Sequence, residues 1–415
     1  MTLSEELSWR GLIKDHTFSD LSWLDEPKTF YLGADAGSAD SLTIGNLAIF
    51  MLADRLLNAG WNTVLLMGGA TSMIGDPGGK ESERELVSAE QINKNIAGVS
   101  AQVKKLFAQK EFTLVNNYDW FKNIGYLEFL RDIGKHYSMT ELLQRDYIAE
   151  RLGDGGAGIS YAEFSYNMIQ GYDYYHLYKN HDVVLQIGGS DQWGNMLSGV
   201  PLIRKKEAVE VHAMSMPLVI NKATGKKFGK SEDGAVWLDP KKTTPYTFYQ
   251  FWINADDIGV LDYLKIYTHL SKEDIEAVME EHAQVPSARV AQKRLAYEVT
   301  VIVHGKEVAE SVVHTTDVLF GAGDYKSLSQ EDIEMLKTEL PFYEIAPNSS
   351  LIEVVVHTGL ASSNSEARRF LQDSAIYING SQFSSEKNTL GHEDTLHGYV
   401  ILRRGKNNTV LVKLQ

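Results

Sequence analysis

Cysteine is missing from all 415 residues, which excludes disulfides and thiolate-held metal sites and agrees with a cytoplasmic location. No apolar run approaches the ~20 residues that a membrane-spanning helix needs, so no membrane partner is expected. The opening stretch, MTLSEELSWRGLIKD, is acidic and amphipathic and lacks the basic, apolar and small-residue regions of a secretory signal. Positive charge is scarce as well: 40 Lys and Arg stand against 55 Asp and Glu, a formal charge of −15. Affinity for a polyanion comes from Lys and Arg, so an RNA partner would have to be met by local basic groups on an acidic background. From Ser350 onward the bases slightly outnumber the acids, which makes the C-terminal end the place to look. Internal repeats and low-complexity tracts are also absent. The length exceeds what one ordinary core holds, and two to four domains are expected.

What is present first is alternation. FYLGAD (30–35) reads as a strand, LTIGNLAIFMLADRLLNAG (42–60) as a helix, NTVLLMGG (62–69) as a strand, and DVVLQIGGSD (182–191) as a strand running into glycines. Such alternation predicts an α/β, Rossmann-like parallel sheet with helices on both faces, here a catalytic domain over 1–235. Sheets of this kind bind ligands at the carboxyl ends of their strands. Those ends carry the unusual residues here: Gly33 to Asp35, Gly68 to Asp76, and Gln186 to Gln192. Residues 120–180 read as a helical insertion, 236–325 as an all-helical domain, 326–349 as a linker, and 350–415 as a small α+β domain with strands at IYING, TLHGYVILRRG and TVLVKL.

Three constellations carry chemistry. In FSYNMIQGYDYY, Tyr166, Gln170 and Asp173 are offset by four and seven residues and fall on one helix face. A phenol, an amide and a carboxylate there can hold the amino group of a small zwitterion and, at one end, a hydroxyl. The competing reading is a helix with a polar, solvated face. The apolar flank of Phe164, Met168, Ile169 and Tyr172 argues instead that the polar face meets a cavity. GGATSMIGDPGGKESER (68–84) follows a strand and offers Asp76, Lys80 and Arg84 among glycines, which suits a phosphate, or else a plain surface loop. It is neither a Walker loop nor a spaced dinucleotide fingerprint. LQIGGSDQWGN (185–195) sets Gly188 and Gly189 beside Asp191, which could accept from ribose hydroxyls. KKFGKSEDGAVWLD (226–239) supplies Lys227, Lys230 and Ser231, cations that can meet charge on a departing pyrophosphate or simply face solvent.

These pieces, in this order, resemble the bacterial tyrosyl-tRNA synthetases, class I aminoacyl-tRNA synthetases, along essentially the whole chain. The resemblance is carried by YLGAD, DSLTIGNL, IGDPGGKESER, NNYDWF (116–121), FLRDIGKHYSM (129–139), ISYAEFSYNMIQGYD (159–173), LQIGGSDQWGN, KFGKS, AVWLDPKKTTPYTFYQFWIN (235–254) and ILRRGK (401–406). It implies that Tyr31 and Asp173 bind the substrate phenol, that Asp76, Tyr166 and Gln170 bind its α-amino group, and that Gln192 lies near its carboxyl. It implies an ATP site at Gly33, Asp35, Ser38, Gly45, Gly188, Gly189 and Asp191, with backbone near Leu218 and Val219 against adenine. Lys80, Arg84, Lys227, Lys230 and Ser231 would hold the pyrophosphate. ATP is then a substrate, accompanied by Mg²⁺ held by phosphates and water, with no dedicated protein metal site. The partners implied are tyrosine, ATP and a tRNA specific for tyrosine, with a homodimer contact near FLRDIGKHYSM. The helical domain would bind the anticodon stem. The C-terminal unit resembles the ribosomal S-four-type RNA-binding domain, with Arg368, Arg369, Arg403, Arg404 and Lys406 as tRNA contacts that position rather than read sequence.

One departure stands out. The family signature His-Ile-Gly-His is here Thr43-Ile44-Gly45-Asn46, and DAGSAD before it is one residue longer than the usual DPTAD. Threonine and asparagine still donate hydrogen bonds, so the kind of reaction is expected to survive. Two alternatives follow from the departure: a tryptophan-specific relative, since tryptophanyl enzymes often carry a similar Thr-Ile-Gly-Asn, and a catalytically impaired paralogue serving as an RNA-binding scaffold. Tyr31 with Asp173 opposes the first. The retained cations Lys80, Arg84, Lys227 and Lys230 oppose the second.

Overall fold

The structure, a computed structural model, describes all residues except 77–86, 144–145, 154–157, 232–233, 321–322, 383–387 and 406–407. The chain forms two compact units, one of residues 1–243 with 254–295 and the other of 244–253 with 296–415.

The first unit is built on five strands: β1 (Thr29–Ala34), β2 (Asn62–Met67), β3 (Thr113–Asn116), β4 (Leu185–Gly189) and β5 (His212–Met216). Their order is β3-β2-β1-β4-β5, and every pairing is parallel. β2 and β4 are buried almost throughout, the pattern of strands covered on both faces. Helix α1 (Ile44–Asn58) packs on β2 and β4. On one face Tyr31, Val64 and Leu66 meet Tyr174, Leu177 and Ile203, from α4 (Tyr161–His181) and α5 (Gly199–Glu207). Between them in sequence come α2 (Gly69–Ile74) and α3 (Ala89–Leu106). Short helices between β3 and β4, Tyr118–Phe121 and Tyr126–Asp132 among them, precede α4. The strand order reverses direction at β1: β2 and β3 run out one way, β4 and β5 the other. The carboxyl ends of β1 and β4 therefore flank a topological switch point, where open α/β sheets bind ligands.

The second unit contains α6 (Pro245–Ile253), α7 (Lys306–Phe320) and α8 (Gln330–Glu339), which pack on one another. It ends in a mixed sheet of β6 (Phe342–Ile345), β7 (Ile376–Ile378), β8 (Ser381–Gln382), β9 (Tyr399–Arg404) and β10 (Asn408–Leu414), ordered β8-β7-β9-β10-β6. Only the β10–β6 pairing is parallel. Helices α9 (Leu351–His357) and α10 (Asn364–Gln372) complete its core, Val354, Val355 and Ala367 packing with Val400, Leu402 and Val412.

Candidate active site

α4 starts at a Ser160–Glu163 capping box and runs for 21 residues, long enough to carry Tyr166, Gln170 and Asp173 along one face. Tyr166 and Asp173 are buried and Gln170 half-buried. Asp173 is 1% exposed, and its two oxygens accept from Trp120 Nε1 at 2.9 Å and Asn117 Nδ2 at 3.1 Å. Burial pushes its carboxyl up to about 7, against the opposing effect of those two donors. Tyr31 on β1 is 1% exposed, and its hydroxyl is buried with no partner among the described residues. Burial first, and then the Asp173 charge, drive this phenol well above its usual range. The Tyr31 hydroxyl thus lies within the field of an acid and is left with an unmade hydrogen bond. An orphaned buried hydroxyl is costly unless a ligand completes it.

Gln186 on β4 is paired in register with Tyr31, which puts both side chains on the same sheet face. Its amide oxygen is also buried without a partner among the described residues. Asn117, fully buried, donates to Asp173 and to Thr71 Oγ1 at 3.2 Å, while its oxygen accepts from Ala70 N at 2.6 Å. The sequence placed Gln186 at an unusual strand end and Asn117 and Trp120 within NNYDWF, but gave none of the three a role. The polar and aromatic run NNYDWF at the end of β3 was the available signal, since it lies on the carboxyl edge of the parallel sheet, the edge at which such sheets bind ligands.

A second cluster lies at the end of α2 and the turn after β4. Gln192 Nε2 donates to Asp76 Oδ2 at 2.6 Å, and Asn195 Nδ2 reaches Asp76 Oδ1 at 3.3 Å and Gln192 Oε1 at 3.1 Å. Asp76 and Gln192, far apart in sequence, are thereby joined, and Asn195 is an addition to the expected set.

The remaining expected residues trace a rim around the carboxyl edge of the sheet. Gly33 at the end of β1 is exposed, and a Cβ there would meet nothing within 4 Å, leaving backbone open to a flat ligand. Asp35 accepts from Gly37 N at 2.8 Å and Ser72 Oγ at 3.0 Å, with Ser38 exposed beyond it. A Cβ on Gly188 would come 2.8 Å from Met196 Sδ, so this glycine lets the Met196 side chain lie against the end of β4. Next to it, Asp191 pairs with Lys227 at 3.2 Å, both groups exposed. Leu218 is 38% exposed near Gly189, and the Val219 carbonyl accepts from Phe228 N at 2.9 Å.

Thr43 caps α1: its N–H and hydroxyl both donate to Asn46 Oδ1, at 3.0 and 2.9 Å. Asn46 is exposed, its oxygen is turned to the cap, and its amide N–H group has no hydrogen-bond partner among the described residues. The KFGKS segment abuts this turn. Gly229 has φ +99°, and a Cβ there would lie 3.0 Å from Ile44 Cγ1 and 3.2 Å from Gly45 N. Val236 ties the two, donating to Gly229 O at 3.1 Å and accepting from Ile44 N at 3.0 Å. The Lys230 and Ser231 backbones pair with Ala235 and Gly234; their side chains, like Lys80, Arg84 and Lys406, lie outside what is described.

In the second unit Arg368 and Arg369 are exposed on α10. Arg403 and Arg404 are only partly exposed. Arg403 lies 4.6 Å over the Tyr377 ring and donates to Leu319 O at 3.4 Å; Arg404 lies 5.0 Å over Phe370 and donates to Leu360 O at 2.7 Å.

Residues 24–321 match the family model for class I tRNA synthetases (W and Y), and residues 332–412 match that for the tyrosine–tRNA ligase SYY-like C-terminal domain. The chain is 44% identical to tyrosine–tRNA ligase 2 of Bacillus cereus over the full length of both, and 42% identical to the tyrosine–tRNA ligase of Listeria monocytogenes over 99% of each. Among solved structures it resembles a C-terminally truncated mitochondrial tyrosyl-tRNA synthetase of Aspergillus nidulans, with TM-score 0.68 and 33% identity over 75% of this chain and 92% of that one. A tryptophanyl-tRNA synthetase of Encephalitozoon cuniculi shares the fold at TM-score 0.55 and 12% identity, covering 80% of this chain and 91% of that one.

Proposed function

The chain belongs to the class I tRNA synthetases of the tryptophan and tyrosine branch, among its tyrosine–tRNA ligases, and from that premise we propose how its residues perform the two steps of that reaction. In the first, a carboxylate oxygen of L-tyrosine attacks the α-phosphorus of ATP. The bond from that phosphorus to the bridging oxygen breaks, giving tyrosyl-adenylate and pyrophosphate. In the second, a hydroxyl of the terminal tRNA ribose attacks the tyrosyl carbonyl and AMP departs. No covalent enzyme intermediate is required; orientation and charge stabilisation supply the acceleration.

Tyr31 and Asp173 take the substrate hydroxyl, and the unpartnered Tyr31 oxygen beside a buried carboxylate is the observation that carries this reading. Tyr166, Gln170 and Asp76 receive the α-amino group, and Gln192, already held by Asp76 and Asn195, stands by the carboxylate. Gly33, Asp35, Gly189 and Asp191 line the nucleoside. Thr43, Asn46 and Lys227, with Lys80, Arg84, Lys230 and Ser231, stabilise the phosphates as charge moves onto pyrophosphate. Mg²⁺ arrives with ATP, held by phosphates and water. The 236–325 helices and the 350–415 unit serve the tRNA, Arg368 and Arg369 being its exposed cations. Exposed Tyr126 (64%), Leu127 (78%), Met139 (57%) and Tyr161 (60%) near FLRDIGKHYSM support a homodimer.

Tyrosine-dependent ATP–pyrophosphate exchange tests the pocket. Asp173→Asn should lower exchange kcat/KM for tyrosine by ~10²-fold or more while the variant stays folded; normal exchange would remove Asp173 from the site.

A further inference from the structure

Outside the groups that touch substrate in this reading, one helix face organises the nucleotide rim. We propose that the polar face of α3, formed by Asn95, Gly98 and Gln102, is a positioning device for segment 35–43 and so for the Thr43–Asn46 cap, which offers the Asn46 amide to the phosphates. This rests on the tyrosine–tRNA ligase reading of that rim. The three residues are offset by three and four and share one side of the helix. Each makes a different contact with the segment. Asn95, 2% exposed, donates to Ala36 O at 2.8 Å, its own oxygen fixed by Gln91 Nε2 at 2.7 Å. Gly98 lets the chain lie directly on the helix: a Cβ there would come 2.2 Å from Asp40 O. Gln102 accepts from Leu42 N at 2.8 Å and donates to Ser41 Oγ at 2.9 Å.

From the other side, Leu42 O accepts from Leu238 N at 2.8 Å, Thr43 bridges Trp237, and Lys242 pairs with Asp40. Both backbone groups of Leu42 are therefore held, one by α3 and one by the strand-like chain that follows KFGKS. The next residue is the α1 cap. A glycine in mid-helix costs helix stability relative to alanine, so Gly98 makes sense as a seat for Asp40 rather than as a helix former. A displacement of about 1 Å at a group aligned on a reacting centre can cost on the order of 10²-fold in rate. Among the described residues, Asn95 and Gln102 make no hydrogen bond to the proposed tyrosine pocket on β1, α4 and β4. The effect of α3 should thus fall on ATP.

Gly98→Ala, Gln102→Leu and Gln102→Glu separate the outcomes, measured as exchange kinetics for ATP and tyrosine and as equilibrium affinity for a non-hydrolysable ATP analogue. Gly98→Ala and Gln102→Leu should raise KM for ATP or lower exchange kcat by about 10-fold, weaken the analogue several-fold, and leave KM for tyrosine within about twofold. Gln102→Glu keeps the acceptor for Leu42 N and should recover most of the loss. Unchanged ATP parameters in both disruptive variants would overturn the proposal, as would equal losses for ATP and tyrosine, which signal general misfolding. Absence of tyrosine-dependent exchange in the unmodified chain would strike the ligase reading alone, because the analogue affinities still judge α3.

Discussion

Asp173 joins two demands that pull against each other. In the proposed pocket an ionised carboxylate accepts more strongly from the substrate hydroxyl than a neutral carboxyl does, yet burial raises the Asp173 group to about 7. The sign of the pH dependence follows. The folded group is raised above its ordinary 3.8, so between those values the folded chain holds a proton that the unfolded chain has lost. Stability therefore falls as pH rises through that window. Tyrosine affinity moves the other way: it should weaken below pH ~7, by up to about tenfold per unit, and level off above. Fluorescence titration with tyrosine from pH 5.5 to 8.5 checks this; a flat profile would mean that Asp173 is not the acceptor, and Asp173→Asn should be flat by construction. In the proposed pocket phenylalanine leaves the Tyr31 hydroxyl without a partner, while Asp173 keeps only its bonds from Trp120 and Asn117; tyrosine–tRNA ligases are the standard illustration of such rejection, at roughly 10⁵-fold. At this scale the sequence was legible where chemistry follows helix spacing, as for Tyr166, Gln170 and Asp173. It was not legible for Asn117 and Trp120, whose contacts with Asp173 span 56 and 53 positions, nor for Gln186, whose role depends on strand register.

α4 carries Tyr166, Gln170 and Asp173 of the proposed pocket, and its start is held by an interior ion pair. Arg151 bonds both oxygens of Glu163, at 2.6 and 3.0 Å, and also the Gly158 carbonyl at 2.7 Å, with the two side chains 9% and 3% exposed. Despite the cost of burial, Arg151 and the Ser160 cap keep the Glu163 carboxyl below its usual range. Removing one partner strands a buried charge, so Arg151→Met should destabilise the fold by about 3–5 kcal/mol in denaturant unfolding, whereas the double change Arg151→Met with Glu163→Gln should recover much of that. If the single variant unfolds like the parent, the pair contributes nothing net. The strands β1, β2 and β4 and the helix α1 were readable because long apolar runs and a capped 3.6-residue pattern leave few alternatives. β3 and β5 were not. They are the edge strands of the first sheet, and neither the four residues of β3 nor HAMSM in β5 carries a β-branched run of any length.

Across the whole chain, the proposed activation and tRNA sites draw on different charges. The acidic total of −15 leaves RNA affinity to a few local cations. Of the arginines expected to meet tRNA, Arg368 and Arg369 are exposed, whereas Arg403 and Arg404 lean on aromatic rings and carbonyls within their own unit. Replacing both Arg368 and Arg369 with Glu should raise KM for tRNA in aminoacylation by ~10-fold or more and leave pyrophosphate exchange intact; loss of exchange as well would assign these residues to folding. The half-sheltered state of Arg403 and Arg404 could not be read from ILRRGK, because their ring partners Tyr377 and Phe370 belong to other elements.

The solitary Tyr31 oxygen also bears on the lifetime of the molecule. If tyrosine completes that hydrogen bond as proposed, it binds the folded chain and stabilises it: with free tyrosine at 100 times its dissociation constant, the native state gains about 2.7 kcal/mol. On that reading, amino-acid supply sets not only how fast this catalyst runs but how long an idle copy withstands heat and proteases.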